Sequence, residues 1–375
     1  MAPIPPSQKR PLGNVMVIGG CGFLGHHIIA QLVEDYKCKV SVIDIRTVRN
    51  RRPESDGVQY FDADITSMES ILPIFEKTKP DVVIHTASPT LAGGTKELYR
   101  KVNVEGTKCV IEACQKTNVK ALVYTSSASV IHDNASDLIN ADERWPVIPA
   151  KNQTEYYSQT KAEAEHLVLA ANRSESYPRL LTTSLRPAGI FGEGDVQVLP
   201  PIVAVHFNNQ TGFQLGPNTN LFDFTYVGNV AHAHCLASLA LLTTSTLSTK
   251  PLDNEKVDGE AFFITNDSPV YFWDFARAVW KCAGSEKDTR HVWEISQDLG
   301  MAIGGMLEWG FWLVGRTPKL TRRQVRYSCM TRYYDCGKAK RRLGYRAKTG
   351  LQEGIERSVK FILEERKAES EKKGQ

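Results

Sequence analysis

The chain has 375 residues, of which 42% are hydrophobic and 23% are charged. This length and composition allow a large buried core, either as one α/β unit or as two lobes. The formal net charge of +4 is too small to favour a nucleic-acid partner. The eight cysteines form no C-x-x-C pair, which disfavours a metal site or a disulfide framework and suggests a reducing compartment.

The first segment of the chain, MAPIPPSQKRPLG, is rich in proline and lacks the apolar stretch of a signal peptide. We therefore expect residues 1–12 to be a disordered arm and the protein to be made on the cytosolic side.

A glycine-rich turn follows the first predicted strand. In NVMVIGGCGFLGHHI, residues 15–18 predict a buried strand and residues 23–36 carry apolar side chains at helical spacing. Gly20, Gly22 and Gly25 lie between them in the G-x-G-x-x-G spacing. This spacing is typical of a turn that holds a dinucleotide pyrophosphate against the first amides of a helix. Glycines also occur in turns that bind no ligand, so the motif alone is weak.

Strand-like and helical segments then alternate. Predicted strands cover residues 15–18, 40–43, 58–61, 82–85, 121–125 and 180–185, and helices such as 68–77 and 104–116 lie between them. The alternation predicts βαβ units and therefore an α/β fold with a doubly wound parallel sheet of the Rossmann type.

The alternation becomes irregular after about residue 187, with helices predicted near 228–243, 271–282 and 351–365. We expect residues 13–186 to form the cofactor-binding core, to which later segments near 223–265 return. Residues 187–222 and 266–365 are expected to form a smaller substrate-binding lobe, and residues 366–375 a frayed tail.

Acidic residues follow the second and third predicted strands. Asp44 ends the second strand, about twenty residues after the glycine turn, where a carboxylate can bind the adenosine ribose and repel a 2′-phosphate. Four nearby arginines could attract that phosphate, but on balance the pattern favours NAD over NADP: Arg46, Arg49, Arg51 and Arg52. Asp64 and Ile65 end the third strand at the expected adenine edge, although Asp64 could equally cap the following helix.

Tyr157 and Lys161 lie four residues apart in YYSQTK, and so on one face of a predicted helix. Tyrosine ionises near pH 10, so a nearby ammonium or oxidised nicotinamide must lower its pKa if it is to act as a base. Ser126 and Ser127 follow the fifth strand, at the sheet edge where α/β proteins bind ligands. Each feature alone is common in helices or loop caps. Their order along the chain indicates an active site.

Together these motifs resemble the 3β-hydroxysteroid dehydrogenase branch of the extended short-chain dehydrogenases/reductases. The resemblance covers residues 14–365 and is carried by HTASP, VNVEGT, YTSSASV, LRPAGIFGEGD, DFTYVGNVAHAH and RYYDCGKAKRRLGY. Ile18 replaces a threonine that is usual before the first glycine, a change that removes no amide facing the phosphate.

The resemblance implies that Tyr157 is the general base and that Lys161 is its electrostatic partner and ribose ligand. Ser127, with Ser126 beside it, would hold the substrate oxygen, and Asn103 would support the active-site water and the lysine. The implied NAD contacts are Gly19, Gly20, Cys21, Gly22, Phe23, Leu24, Gly25, Asp44, Ile45, Asp64, Ile65, Thr86, Ala87, Ser88, Thr125, Lys161, Pro187 and Ile190.

Within this branch the chain is most similar to members that act on sterol 4α-carboxylates. The resemblance implies NAD-dependent oxidation of a 3β-hydroxyl to the ketone with loss of CO₂, in the C4 demethylation of ergosterol-type sterol biosynthesis. The alternatives are another 3β-hydroxysteroid dehydrogenase, a nucleotide-sugar epimerase or carbonyl reductase on the same fold, and a non-catalytic dinucleotide sensor. We expect no metal site, because the pairs His26/His27 and His232/His234 lack acidic or thiolate companions.

Residues 299–315 form the most apolar stretch, but they are fewer than the roughly 20 needed for a membrane span and include Glu308. The segment could lie at a membrane interface, with the basic cluster after it contacting anionic headgroups. It could instead be a buried core helix with Trp309, Phe311 and Trp312 inside. The basic cluster is Arg316, Lys319, Arg322, Arg323 and Arg326.

An interfacial segment, combined with the resemblance, predicts peripheral association with the cytosolic face of the endoplasmic reticulum or with lipid droplets. A soluble cytoplasmic protein is the alternative. The resemblance further implies a homodimer, formed through helices on the flank of the sheet, and contacts with other enzymes of C4 demethylation.

Overall fold

The computed structural model of the protein describes residues 9–90, 94–287, 289–316, 318 and 320–373. The strands are β1 (Arg10–Ile18), β2 (Tyr36–Asp44), β3 (Gln59–Asp62), β4 (Val82–His85), β5 (Ala121–Thr125), β6 (Leu138–Ala141), β7 (Leu181–Pro187), β8 (Gly189–Phe191), β9 (Phe213–Leu215), β10 (Leu221–Phe222), β11 (Phe224–Tyr226), β12 (Glu260–Ile264), β13 (Val270–Tyr271), β14 (Trp293–Ile295) and β15 (Arg332–Tyr334).

The helices are α1 (Phe23–Asp35), α2 (Met68–Thr78), α3 (Lys96–Tyr99), α4 (Thr107–Lys116), α5 (Tyr156–Ala170), α6 (Leu199–Phe207), α7 (Val227–Ser245), α8 (Phe272–Cys282), α9 (Gln297–Leu313), α10 (Arg322–Cys329), α11 (Gly337–Arg342) and α12 (Leu351–Lys373). A π-helical segment (Arg100–Gly106) joins α3 to α4, and a short 3₁₀ helix (Ala128–Ile131) follows β5.

A seven-stranded sheet with every pair parallel forms the centre, in the order β12-β7-β5-β4-β1-β2-β3. Side chains of β1 alternate between its two faces, so that Val15 and Val17 pack with α1 and α7, whereas Met16 and Ile18 pack with α2, α4 and α5. This arrangement confirms the predicted doubly wound parallel sheet and its six strands. The seventh, β12, was missed, because its short apolar run EAFFI has no periodicity that separates a strand from a core helix.

The ends of the chain differ from the prediction. Residues 10–12 are not part of an arm, because β1 begins at Arg10 and Leu12 is fully buried. Residues 1–8 lie outside the described residues. At the other end the predicted frayed tail is helical as far as Lys373, since α12 runs beyond residue 365. Residues 374 and 375 are not described.

Smaller elements pack beside the carboxyl edge of the main sheet. A four-stranded sheet has the order β13-β10-β15-β6, and the pairs β11-β8 and β14-β9 flank it. A separate small core joins the 3₁₀ helix after β5 to β15, through Ala128, Val130, Phe263 and Tyr334. The division into a cofactor core and a substrate lobe stays a prediction.

Helix α9 corrects one expectation. The core-helix alternative for residues 299–315 is wrong, because only Gly300 and Gly304 of α9 are buried. Trp309 and Trp312 are 68% and 74% exposed, and Phe311 is also exposed. None of the helices in the described part of the chain is both long enough and apolar enough to cross a bilayer.

Candidate active site

The glycine turn sits between β1 and α1, and its glycines have separate roles. A Cβ on Gly25 would collide with the Gly19 carbonyl and the Gly20 Cα, so Gly25 lets the helix pack on the turn. A Cβ on Gly20 would lie 2.6 Å from Val42 Cγ1. At Gly22, the Gly19 oxygen at 3.1 Å is the sole described atom within 4 Å of an added Cβ. Gly22 therefore borders open space at the start of α1.

That open space suits a pyrophosphate. Gly22 caps α1 without a side-chain hydrogen bond, and the first helical bond is donated by the His26 amide to the Gly22 carbonyl. Within the described residues, the amides of Phe23, Leu24 and Gly25 have no recorded acceptor. Three unpaired N–H groups at a helix start attract phosphate oxygens through hydrogen bonding and the helix dipole. The residues present thus fit a dinucleotide.

Asp44 lies beside this turn, at the end of β2. Its carboxylate accepts hydrogen bonds from the amides of Cys21 (3.0 Å) and Arg46 (3.2 Å). The side chain is half-buried and keeps acceptor capacity for ribose hydroxyls. Ile45, the next residue, is 70% exposed.

The second predicted acidic position, Asp64, lies after β3. Asp64 accepts hydrogen bonds from the Thr66 amide (2.9 Å) and hydroxyl (2.8 Å), and these bonds lower its pKa against the effect of desolvation. The cap of α2 is Ser67 and not Asp64. Ile65 is buried and would touch a Cβ on Gly106, so it packs in the core under the π-helical segment.

The residues after β4 contact both the glycine turn and the segment that contains Asn103. The Thr86 hydroxyl donates to the Ile18 carbonyl at 2.8 Å, and a Cβ on Gly19 would lie 2.7 Å from the Ala87 nitrogen. The Ser88 hydroxyl donates to Asn103 Oδ1 at 2.9 Å. Asn103 is buried in the π-helical segment, where helix 104–116 was expected to begin, and π-helical turns are frequent at functional sites.

A row of serine hydroxyls orients Ser127. The Ser158 hydroxyl donates to Ser129 Oγ at 2.9 Å, and the Ser129 hydroxyl donates to Ser127 Oγ at 2.9 Å. The Ser129 amide also donates to Ser127 Oγ, at 3.2 Å. Both acceptor positions of the Ser127 oxygen are therefore occupied. The Ser127 hydroxyl can then donate its own proton only to a group outside this row. Ser158 is adjacent to Tyr157 in α5, so this row also fixes Ser127 relative to the tyrosine.

Tyr157 is half-buried and its ring meets Tyr99 edge to face at 5.7 Å. Burial raises the pKa of Tyr157 to about 12, although a hydrogen bond with the Ser88 side chain opposes the shift. Lys161 does not contribute to this shift. The expected lowering by the ammonium is therefore absent in the protein by itself.

The position of Lys161 explains this result. Its ammonium donates to the Thr125 carbonyl at 2.5 Å and lies 4.5 Å from the centre of the Tyr124 ring, so it is drawn towards the end of β5. Burial lowers the pKa of Lys161 to about 7, with Glu165 acting in the opposite direction. Glu165 is itself paired with Arg186 at 2.6 Å.

The other predicted positions around the carboxyl edge have structural roles in the protein by itself. The Ser126 hydroxyl is buried and has no partner among the described residues, whereas its amide donates to the Leu185 carbonyl at 2.8 Å. Pro187 is buried at the end of β7, and Ile190 is half-buried in β8.

Sequence reasoning missed several supporting residues. Thr125 Oγ1 lies 2.7 Å from His234 Nε2, and His234 Nδ1 contacts the Val230 carbonyl at 2.8 Å, so the imidazole takes the proton on Nδ1 and accepts from Thr125. The Asn103 amide donates to Thr160 Oγ1 at 3.0 Å. Ser129 could have been noticed in TSSAS, but Ser158, Thr160 and His234 carry no local signal because their partners are distant in sequence.

Neither histidine pair belongs to a group of metal ligands among the described residues. His27 Nε2 contacts the Glu193 carbonyl at 2.9 Å and His26 Nδ1 contacts the Gly22 carbonyl at 3.0 Å. In the portion of the chain that the structure covers, three or more side chains of His, Cys, Asp or Glu nowhere form a group able to hold a metal ion.

Comparison with known proteins gives one family. Residues 16–295 match the model of the 3-beta hydroxysteroid dehydrogenase/isomerase family. The decarboxylating sterol-4-alpha-carboxylate 3-dehydrogenase of Saccharomyces cerevisiae is 40% identical over 94% of this chain and 99% of its own. The protein of the same description in Schizosaccharomyces pombe is 42% identical over 95% and 99%, respectively.

Among solved structures, the Thermus thermophilus UDP-glucose 4-epimerase in complex with NAD superposes with a TM-score of 0.65 and 24% identity. The match covers 93% of this chain and 99% of the epimerase. At that identity the likeness supports the shared fold and not a shared reaction.

Proposed function

The chain belongs to the 3-beta hydroxysteroid dehydrogenase/isomerase family, and from that premise we propose that it oxidises the 3β-hydroxyl of a 4α-carboxysterol with NAD⁺ and releases CO₂. The curated relatives with this reaction in their names match along nearly the whole chain. The epimerase alternative is supported by similarity of fold alone. The protein is thus an oxidoreductase of sterol biosynthesis.

The observation that carries the proposal is the oriented Ser127 hydroxyl beside Tyr157. Both acceptor positions of Ser127 are filled from within the protein, so its proton is available to a substrate oxygen. Tyr157, one residue before the serine that begins the row, would exchange a proton with that same oxygen. A donor and a base at one oxygen are what alcohol oxidation requires.

Tyr157 needs help to act as a base, because burial keeps its pKa near 12. NAD⁺, when bound, accepts the hydride from C3 and adds positive charge beside the phenol. Lys161, four residues further along α5, does not lower this pKa while its ammonium is bound to the Thr125 carbonyl, so the positive charge of bound NAD⁺ would have to favour the phenolate. Lys161 and Thr125 would hold the nicotinamide ribose, and the amides at the start of α1 would hold the pyrophosphate.

The oxidation makes the second step easy. Tyr157 takes the hydroxyl proton as the C3 hydrogen leaves with its electron pair, which gives a ketone next to the carbon that carries the carboxylate. The bond from C4 to the carboxylate then breaks, CO₂ leaves, and its electron pair forms an enolate on the C3 oxygen. The Ser127 and Tyr157 hydroxyls can stabilise that enolate, and a proton returned to C4 completes the ketone.

The preference for NAD over NADP rests on Asp44. A 2′-phosphate placed near this carboxylate would meet like charge. Two of the four neighbouring arginines are engaged elsewhere: Arg51 stacks on the Tyr60 ring at 4.6 Å, and Arg52 pairs with Asp56 at 2.7 Å. Arg46 and Arg49 are exposed and keep their charge, so the preference for NAD rests on the closeness of Asp44 to the glycine turn.

Peripheral membrane association is supported by α9. The exposed side chains of Met306, Trp309, Trp312 and Leu313 provide an apolar surface, which we call the α9 patch. Arg316 follows it and is exposed, whereas Arg322 is paired with Glu308 at 2.7 Å. Lys319 of the predicted basic cluster lies outside the described residues. We assign the α9 patch to the cytosolic surface of the endoplasmic reticulum or of lipid droplets. The homodimer and contacts with other C4-demethylation enzymes stay predictions.

The proposal is tested with purified protein, NAD⁺ and a 4α-carboxysterol whose carboxyl carbon is labelled. We expect NADH and labelled CO₂ in equal amounts. Tightly retained NAD with no net NADH would instead indicate an epimerase, and binding of NADH without turnover of any sterol or sugar would indicate a sensor.

A further inference from the structure

An arginine of β15 stands out because no carboxylate in the described part of the chain is paired with it. The Arg332 Nε donates to the Tyr334 hydroxyl at 2.7 Å. Among the described residues, no acidic side chain lies within ion-pair distance of its guanidinium, and no other hydrogen bond to it is recorded. An arginine keeps its charge, and the half-buried charge of Arg332 lacks a counter-ion among the described residues, which is costly. Such a group is suited to bind an anion.

The charges around Arg332 do not supply that anion. Glu155 is already paired with Arg323 at 2.6 Å, and its charge contributes to the raised pKa of Arg332 less than the Tyr334 and Tyr327 phenols do. Arg326 donates to the Asn134 carbonyl at 3.4 Å. Among the described residues, Arg323 forms an ion pair in this region, whereas Arg326 and Arg332 form none.

The buried acid Asp223 is bonded to the backbone of β15. Asp223 Oδ2 accepts a hydrogen bond from the Tyr334 amide at 2.8 Å. Burial raises the pKa of Asp223 to about 7, so about half of this carboxyl is neutral at pH 7. Among the described residues Asp223 bonds to the Tyr334 amide and forms no ion pair with the Arg332 guanidinium, so it does not balance the charge there.

The fold places Arg332 on the side of the catalytic serine. Arg332 and Tyr334 are two residues apart in β15 and so share one face of the strand. Tyr334 stacks on Phe263 at 4.8 Å, in the small core that also contains Ala128 and Val130. These residues belong to the 3₁₀ helix that Ser127 caps.

Two observations relate this region to α5 and to the 3₁₀ helix after β5. Arg323 in α10 pairs with Glu155, the residue that caps α5 two positions before Tyr157. His132, at the end of the 3₁₀ helix, has its pKa lowered to about 4 by burial and next by the Arg332 charge. The guanidinium therefore lies next to the segment that carries Ser127.

We propose that Arg332 binds the 4α-carboxylate of the sterol and so selects carboxylated over uncarboxylated 3β-hydroxysterols. This inference rests on the proposed function, in which the carboxylate is attached to the carbon adjacent to C3. When Ser127 and Tyr157 hold the C3 oxygen, the carboxylate must meet a neighbouring wall of the cleft. On that wall, the Arg332 guanidinium would present a planar pair of N–H donors whose geometry matches a carboxylate.

The role is in binding and not in bond breaking. A cation on the carboxylate stabilises the substrate, whose negative charge passes to the C3 oxygen as neutral CO₂ leaves, so it does not favour the enolate-forming step. The loss of CO₂ also removes the group that Arg332 holds, and this assists release of the ketone. Replacement of Arg332 should therefore raise KM and leave kcat nearly unchanged.

The experiment compares two sterols that differ only in the 4α-carboxylate. For Arg332→Gln we expect kcat/KM for the carboxylated sterol to fall about 30-fold, mainly through KM, and that for the uncarboxylated sterol to change less than about threefold. Equilibrium binding of a 4α-carboxysterol that lacks the 3-hydroxyl should weaken by a similar factor. Arg144→Gln is the control, because this 91% exposed arginine pairs with Asp142; it should change neither constant.

An equal loss for both sterols, or no loss for either, would overturn the assignment. If Arg332→Gln does not fold, Arg332→Lys keeps the charge but not the paired donors. It should weaken carboxylated-sterol binding by a smaller factor, and an unchanged preference would equally contradict the role. If the wild-type protein binds the carboxylated sterol preferentially but does not oxidise it, the proposed function fails while Arg332 keeps its assignment.

Discussion

The Ser129 hydroxyl donates a hydrogen bond to the Ser127 oxygen over 2.9 Å, and Ser129 in turn accepts one from Ser158. This relationship turns Ser127 from a loop-capping residue into an oriented donor, because its oxygen has no acceptor position left.

Replacement of Ser129 by alanine should therefore lower kcat without removing the donor itself. We expect Ser129→Ala to reduce kcat about tenfold, whereas Ser127→Ala, which removes the donor to the oxyanion, should cost about 10²- to 10³-fold. Steady-state kinetics with NAD⁺ and the carboxysterol measure both. Ser136→Ala is the control, because this serine bonds to Asp133 in an exposed turn. A Ser129→Ala enzyme with wild-type kcat would show that the row has no role.

Asp44 should determine the choice of cofactor. Asp44→Ser removes the negative charge near the adenosine ribose but keeps a short polar side chain. We expect the ratio of kcat/KM for NAD⁺ to that for NADP⁺ to fall at least about tenfold. Glu54→Gln, which removes an exposed negative charge outside the turn, should leave this ratio unchanged. An unchanged ratio in Asp44→Ser would assign cofactor choice to other residues.

Much of this site could be predicted because its signals are local. The glycine turn, Asp44, and the Tyr157/Lys161 spacing each occupy a few residues of sequence, and parallel strands bring their carboxyl ends to one edge. The partners of those residues are not local. Ser158 reaches Ser129 across 29 residues and His234 reaches Thr125 across 109, and no periodicity encodes such pairs.

Other expectations failed for physical reasons. An apolar helix has the same sequence pattern whether its side chains face a core or a surface. The sequence of α9 therefore could not predict that Trp309 and Trp312 are exposed. The pKa of Tyr157 depends on where the Lys161 ammonium points, and the Thr125 carbonyl takes that hydrogen bond. A spacing of four residues does not reveal this competition.

The buried histidines should make the protein sensitive to acid. Burial lowers the pKa of His132 and of His234 to about 4 and that of His85 to about 3, all from 6.5. Between pH 6.5 and about 4 the unfolded chain therefore binds more protons than the folded one, so stability falls as pH falls. Each histidine contributes about 1.4 kcal/mol per pH unit in this window.

Thermal unfolding of the protein at pH 7, 6 and 5 measures this effect, and Tm should fall at each step. His132→Gln should reduce the pH dependence of Tm by the contribution of one histidine. His166→Gln, at an exposed position of α5, should leave the pH dependence of Tm unchanged. A Tm that stays constant from pH 7 to pH 5 would contradict the burial of these groups.

The α9 patch should bind lipid through its tryptophans. The double variant Trp309→Ser, Trp312→Ser removes two exposed aromatic side chains, each able to contribute about 1.5 kcal/mol or more on burial. We expect its partitioning onto vesicles containing anionic lipid, measured by co-sedimentation, to fall at least about tenfold. Trp145→Ser, an exposed tryptophan outside the patch, is the control. An equal loss of vesicle partitioning in the control and the double variant would contradict the assignment of the α9 patch as the lipid-binding surface.

The central claim is that the Tyr157 hydroxyl handles the proton of the substrate alcohol. The most direct test is single-turnover formation of NADH from the carboxysterol by Tyr157→Phe, compared with Tyr156→Phe on the same helix. Tyr156 contacts Lys96 through its ring, at 5.7 Å, which phenylalanine preserves. We predict a loss of about 10²- to 10⁴-fold for Tyr157→Phe and a rate within about threefold of wild type for Tyr156→Phe. A Tyr157→Phe enzyme that keeps most of its rate, with both variants folded and binding NAD⁺, would contradict the account.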